Sequence, residues 1–214
     1  DDVGGAGGRS RPGAGGEGNP VGTGSDGSRR LAAASPNEIA ASTRALKDAQ
    51  PRRSFDELYA AADTHQAALD AAGKELGEIS GVEWINPGVK KRADAEAKIG
   101  RKGYESTSEL TDVVRGGFKV KTPGDAEAIV SALASKFRVL DEGWNITAAG
   151  YFDRKVLVQF DDGTVGEVQI WHPDMLEAKE GKGGGHKLYE QMRGLKPDDP
   201  KFVELTQAQK ALHL

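Results

Sequence analysis

Apolar positions along this chain follow two different rhythms. Up to about residue 105 they recur at roughly helical intervals, and beyond it short apolar blocks suited to strands take over. Ser35-Pro36-Asn37 offers caps for a helix running through about Ala49. After Pro51, Ser54-Phe55-Asp56-Glu57 fits a capping box, and Leu58, Ala61, Leu69 and Leu76 mark the stripe of a second helix ending near Gly81. After "WINPG" a third, basic helix is predicted over "VKKRADAEAKIGRKGY". The segment "GGFKVKT" reads as a strand, Pro123 opens an amphipathic helix over "GDAEAIVSALASKF", and "RVLDEGW" reads as a second strand. "RKVLVQF" and "TVGEVQIW" flank Asp161-Asp162-Gly163, a hairpin signal. Pro173 starts a helix, interrupted or preceded by "GKGGG", that runs through "HKLYEQMR", and a last amphipathic helix follows Pro200. Helices, then a β-α-β-β-β-like run, then helices argue an α+β domain with a mixed or antiparallel sheet.

Composition adds boundaries. Residues 1–34 are Gly-rich with almost nothing apolar to bury, which predicts a flexible linker. The expected division is then helices over 35–83 flanking the core, and the core itself with its C-terminal helix over 84–214. A chain of 214 residues with no initiator Met and no secretory signal pattern reads as a piece of something longer, its domain hanging on that linker. The absence of cysteine excludes a disulfide framework, thiolate metal sites and thiol nucleophiles. A net charge of -4 gives no general attraction to nucleic acid or anionic membrane, and no apolar run approaches spanning length. Polyanion binding would have to come from local basic clusters.

One strand carries an anomaly. In "TVGEVQIW" Glu167 and Gln169 lie two apart and share a face, while Val168 and Ile170 take the other. An isolated E-x-Q is usually the wetted face of a one-sided sheet. Asp112, just before the strand "GGFKV", supplies a second carboxylate, and two carboxylates from neighbouring sheet elements can hold one Mg²⁺. Lys90, Lys91, Arg92, Lys98, Arg101 and Lys102 precede Asp112, and Arg115 follows it, which suits a triphosphate cradle as well as a solvated helix face. Gly150-Tyr151 pairs close backbone approach with an aromatic that can stack on a base or simply pack at a core edge. His186 is a candidate partner for a phosphate or an acidic neighbour, although a lone His is more often structural. "GKGGGHK" is no Walker A loop, because it lacks the spacing and the Ser or Thr after Lys.

Taken in order, "LTDVVRGGFKV", "GYFDRKVLVQF", "GEVQIWHPDM" and "HKLYEQMR" resemble the synthetase domain of the RelA/SpoT family, over roughly residues 84–193. The resemblance implies a nucleotidyltransferase-like mixed β-sheet flanked by helices. It also implies a pyrophosphokinase that moves the β,γ-diphosphate of ATP to a ribose 3'-hydroxyl and releases AMP. On that reading Asp112 and Glu167 hold Mg²⁺, and Glu167 also takes the proton of the attacking hydroxyl. Lys90, Arg92, Lys98 and Arg115 attend the ATP phosphates, while Tyr151, Gln169 and His186 attend the acceptor. Two departures stand out: the family's R-x-K-x-x-x-S pattern is not intact, and its N-G-Y-R-S-L-H run is "AAGYFDRKV" here, with Lys155 at the position of the His. No His-Asp hydrolase motif precedes the domain.

A synthetase without a hydrolase, carried on a Gly-rich linker, resembles toxin-type members borne by secreted or phage-encoded proteins. That implies action in the cytoplasm of a target or host cell and a cognate immunity protein or antitoxin. The leading expectation is a Mg²⁺-dependent ATP pyrophosphokinase acting on a purine nucleotide, guanine or adenine. Two alternatives stand beside it: a toxin that pyrophosphorylates the 3' end of tRNA, and a non-catalytic nucleotide-binding module. The acidic net charge weighs against the first, and a pair of Mg²⁺-ready carboxylates against the second.

Overall fold

The computed structural model describes residues 35–146, 151–180, 185–192, 195–196 and 198–211. The expected linker, Gly150 and all but the last glycine of "GKGGG" lie outside the described residues. Helices α1 (Pro36–Ala49) and α2 (Phe55–Ser80) each begin at a full capping box. Ser35 and Ser54 accept from the amides of Glu38 and Glu57, whose carboxylates accept in return from the serine amides. That satisfies donors the first turn would otherwise leave orphaned. Gly81 ends α2 at φ 67°, a left-handed cap that suits glycine.

Five strands form one sheet in the order β1-β2-β5-β4-β3: β1 (Glu83–Ile85), β2 (Val114–Lys119), β3 (Arg138–Ile146), β4 (Phe152–Gln159) and β5 (Val165–Trp171). Only β2 and β5 pair in parallel, so the sheet is mixed. Helix α4 (Pro123–Ala134) carries the chain from β2 to β3. The β4–β5 turn closes as the Asp-Gly signal predicts. Gly163 takes φ 84°, its amide donates to the Phe160 carbonyl, and the Phe160 amide donates to the Thr164 carbonyl. β1 is the element the sequence pattern misses. Three residues show no period of their own and become a strand only by pairing with β2.

The two faces of the sheet have different fates. On one, Val114, Phe118, Val156, Val158, Val168 and Ile170 are buried against Leu58, Leu69 and Leu76 of α2 and Ile129, Val130 and Leu133 of α4. Each such side chain contributes about 1.5–3 kcal/mol by leaving water. The opposite face is covered only in part. Leu140, Leu157 and Val165 form a second cluster with Leu46 of α1. Gln50, following α1, locks that cover in place, donating to the carbonyls of Ser108 and Leu110 and accepting from the Val165 amide. Beyond this cluster the same face carries Arg115, Glu167, Gln169 and Lys155.

The glycines of β2 tie the faces together. A Cβ on Gly116 would lie 2.0 Å from the Trp84 indole, and one on Gly117 would lie 2.1 Å from the Trp171 indole. Each tryptophan therefore lies flat on bare backbone, one on each face. Two glycines at 116 and 117 are the condition for that. Helices α5 (Pro173–Glu180), α6 (Gly185–Met192) and α7 (Pro200–Ala211) follow the sheet. Their contact residues include Met175, Leu176, Met192 and Leu205, all buried, and Gln209 donates to the Gly185 carbonyl at 3.2 Å. No helix among the described residues is long and apolar enough to cross a membrane.

Candidate active site

The uncovered part of the second face is centred on β5. Register places Glu167 beside Arg115 of β2 and Gln169 beside both Gly117 of β2 and Lys155 of β4. Strand alternation then puts Arg115, Glu167, Gln169, Lys155 and Asp153 on one side of the sheet. Gln169 donates to Glu167 at 2.7 Å, which fixes one carboxylate oxygen.

Asp112 reaches this basin from the loop that enters β2. Its Oδ2 accepts from Lys90 Nζ at 3.0 Å and from Lys98 Nζ at 2.9 Å. The backbone around Lys90 is pinned, since its amide donates to Val113 and its carbonyl accepts from Tyr59. Lys98 projects from α3 (Arg92–Lys102), whose Ala95 is buried. Burial alone would raise the Asp112 pKa, but Lys98 and Lys90 outweigh it and hold the carboxyl below its ordinary range. Glu167 moves the other way. Burial pushes its pKa up and the Asp112 charge adds to that, with Lys155 and Lys98 opposing. Two carboxyl groups far apart in sequence therefore sense each other across one basin, and their environments separate them electrostatically.

Arg115 lines the same side, its Nε donating to the Gly88 carbonyl at 3.3 Å. Gln66 of α2 brackets its backbone, accepting from the Arg115 amide and donating to its carbonyl where β1 has ended. Arg92, at the start of α3, is half exposed, paired with Asp56 and Glu96 and set over the Phe55 ring. His186 lies in α6 by its backbone, and its side chain is outside the described residues.

Tyr151 is held rather than loose. Trp171 Nε1 donates to its hydroxyl at 2.8 Å, and that hydroxyl hydrogen-bonds Asp153. Burial, with the charges of Asp153 and Glu167, pushes the phenol well above its usual pKa, so it stays protonated. The motif-based reading gives no role to three residues of this basin: Lys155, Asp153 and Trp171. Burial opposes the charge of Lys155, but the carboxylates of Glu167, Asp153, Glu142 and Asp112 outweigh it and hold the ammonium above its usual value. The signal that finds these residues is alternation, along β4 for 153 and 155 and along β5 for 171, which shares a face with 167 and 169.

Could this basin hold a divalent cation? Asp112 Oδ1 is buried without a hydrogen-bond partner, as an oxygen waiting for a ligand would be. Among the described residues there is no group of three or more His, Cys, Asp or Glu side chains arranged to hold a metal. Two carboxylates suit Mg²⁺, which keeps waters and takes phosphate oxygens as further ligands.

No catalogued family profile matches the chain. A curated relative, the (p)ppApp synthetase toxin Tas1 of Pseudomonas aeruginosa (strain UCBPP-PA14), is 25% identical over 186 residues, covering 74% of this chain. The chain spans only 42% of that relative's length. The solved structure of the type VI effector Tas1 with its immunity protein superposes with a TM-score of 0.60 at 22% identity, covering 77% of this chain and 96% of that one. That of smu.1046c from Streptococcus mutans UA159 superposes at 0.51 with 16% identity, covering 75% and 90%. The mixed sheet with its single parallel pair, the flanking helices and these likenesses agree: the chain has the RelA/SpoT synthetase fold and is a sequence relative of a curated synthetase toxin.

Proposed function

We propose that this domain is an ATP pyrophosphokinase that transfers the β,γ-diphosphate of ATP to the ribose 3'-hydroxyl of a purine nucleotide. The observation that carries the proposal is that Asp112, at the entry to β2, and Glu167, on the adjacent β5, feel each other's charge and share Lys98 as a neighbour, with Lys90 and Arg115 on the β2 side and Tyr151 and Lys155 on the β4 side. On this reading ATP takes the β2 side and the acceptor the β4 side, with Glu167 between them.

The chemistry follows from the groups present. Glu167, raised in pKa by burial, is a better base than an exposed carboxylate and takes the proton of the 3'-hydroxyl. The 3'-oxygen bonds to the β-phosphorus, the bond from that phosphorus to the α–β bridging oxygen breaks, and AMP leaves. Lys90, Lys98 and Arg115 hold the phosphate chain in line and offset charge spreading over the transferred group. Asp112 and Glu167 would hold Mg²⁺, which when bound supplies further positive charge at the same phosphates. Tyr151, with its hydroxyl tethered to Trp171, presents a preset ring on which the acceptor base stacks. Gln169 orients Glu167 by its hydrogen bond.

The likeness to Tas1 extends the proposal in two ways. An adenine nucleotide becomes the favoured acceptor, and the domain becomes an effector toxin that acts in the cytoplasm of a recipient cell and is neutralised by an immunity protein. The test is incubation with γ-labelled ATP and Mg²⁺ against AMP, ADP, ATP, GDP, GTP or tRNA in turn. Label appearing in a small adenine nucleotide supports the full proposal, and label in a guanine nucleotide corrects the acceptor. Label in tRNA, or none at all, overturns it.

A further inference from the structure

Both carboxylates proposed to hold the metal already face cations of the protein itself. Asp112 Oδ2 accepts from two ammonium groups, and the side chains of Lys90, Lys98 and Asp112 are only 12%, 18% and 14% exposed. Removing one partner from a largely buried ion pair leaves an uncompensated charge out of water, so this cluster resists losing its ammonium groups to dissolved ions. Glu167 is tied to Gln169 and has Lys155 as its leading opposing charge. Around Asp112 one negative charge therefore meets two positive ones, a local excess of one positive charge. A divalent cation arriving alone would raise that excess to three and would find no set of three carboxylates arranged to hold it among the described residues. A nucleoside triphosphate arriving with the cation reverses the balance with about four negative charges.

We infer that Lys90 and Lys98 form a counter-ion lock on the metal position, so that a divalent cation enters only together with the triphosphate that draws both lysines off Asp112. The inference rests on the proposed reading of Asp112 and Glu167 as metal ligands, and it assigns the two lysines a second duty beyond contacting phosphate. In the empty protein they keep a buried carboxylate paired. On loading, Asp112 gives up its ammonium partners, and its orphan Oδ1 becomes available to the cation together with Oδ2. Removing one lysine should open the lock while weakening the phosphate cradle. Binding of the metal alone and binding of the nucleotide thus move in opposite directions. A lysine that merely stabilised the fold would not produce that signature.

The experiment is a titration of the whole chain with Mn²⁺, followed by electron paramagnetic resonance, with and without α,β-methylene-ATP, whose α–β link cannot be cleaved. For the wild-type protein the analogue should tighten Mn²⁺ binding about 5- to 150-fold, the usual span of coupling between sites. In Lys98→Met, and separately in Lys90→Met, Mn²⁺ alone should bind more tightly than to wild type, and the tightening by the analogue should shrink. Circular dichroism confirms that each variant is folded, and the two variants stand in for each other if one is not. Equal Mn²⁺ affinity of wild type with and without the analogue overturns the lock, as does an unchanged metal-alone affinity in both variants. Failure of every protein to take up Mn²⁺ even with the analogue removes the metal assignment of Asp112 and Glu167, and the lock with it.

Discussion

Replacing Gly117 by alanine adds one methyl group to a place with no room for it. The new Cβ would stand 2.1 and 2.3 Å from ring carbons of Trp171 and 2.5 Å from the carbonyl oxygen of Gln169. Neither neighbour yields cheaply. Trp171 is 5% exposed and its indole N–H is committed to Tyr151, while the Gln169 carbonyl belongs to the strand backbone. Overpacking of this kind costs about 1–3 kcal/mol. Gly116→Ala is the matched control, since its Cβ would strike Trp84 at 2.0 Å on the opposite, helix-covered face. Urea unfolding should therefore show both variants destabilised by about 1–3 kcal/mol. Steady-state kinetics should separate them. Gly117→Ala displaces Trp171 and with it the tether of Tyr151, raising the acceptor KM at unchanged ATP KM, by up to the ~1–3 kcal/mol that a stacked base is worth. Gly116→Ala should leave the acceptor KM alone. Wild-type stability in Gly117→Ala would refute the packing argument, and an equal acceptor defect in both variants would refute the division of labour between the two faces.

Three further outcomes are expected. Glu167→Gln should lower turnover by at least about 10²-fold, the lower end of general-base contributions, while calorimetry still detects ATP binding; retained turnover would mean that another group takes the proton. Lys98→Ala should raise the ATP KM whereas Arg92→Ala should not, because Arg92 is engaged with Asp56 and Glu96; equal ATP defects would place Arg92 in the cradle after all. Asp162, pinned by the Thr164 amide and Arg53, has its pKa lowered to about 2. Its contribution is complete above about pH 4 and is lost as pH falls through about 2, a change of about 1 kcal/mol after solvent screening at this partly exposed site. Acid titrations of stability should lose that step in Asp162→Asn, and an unchanged profile would assign the acid sensitivity elsewhere.

Local chemistry was legible in the sequence where it is self-contained. The capping boxes at Ser35 and Ser54 and the Asp-Gly turn at 162–163 act within a few residues, so their signals survive without tertiary context. The polar face of β5 was also legible, because alternation alone puts Glu167 and Gln169 together. What stayed hidden depends on register. Lys155 comes opposite Gln169, on the face of Glu167, only because β4 pairs with β5 one way and not one residue off, and a slip of one would turn it to the opposite face. Spacing along α3 could not show that Lys98 turns toward Asp112 while Arg92 turns to Asp56, since the start of α2 supplies that competing partner. Nothing in the local spacing of Gly116 and Gly117 shows that two tryptophans, 84 and 171, lie on them.

The central claim is that one basin, with Glu167 and Asp112 at its floor, moves two phosphates at once. Product stoichiometry tests it most directly: phosphorus NMR and chromatography of a reaction containing ATP and an adenine nucleotide. The account predicts one AMP released for each acceptor that gains a diphosphate at its 3' position, with both products formed at least about 10²-fold more slowly by Glu167→Gln. Release of ADP with a single phosphate transferred, or the same products at the wild-type rate from Glu167→Gln, would contradict it.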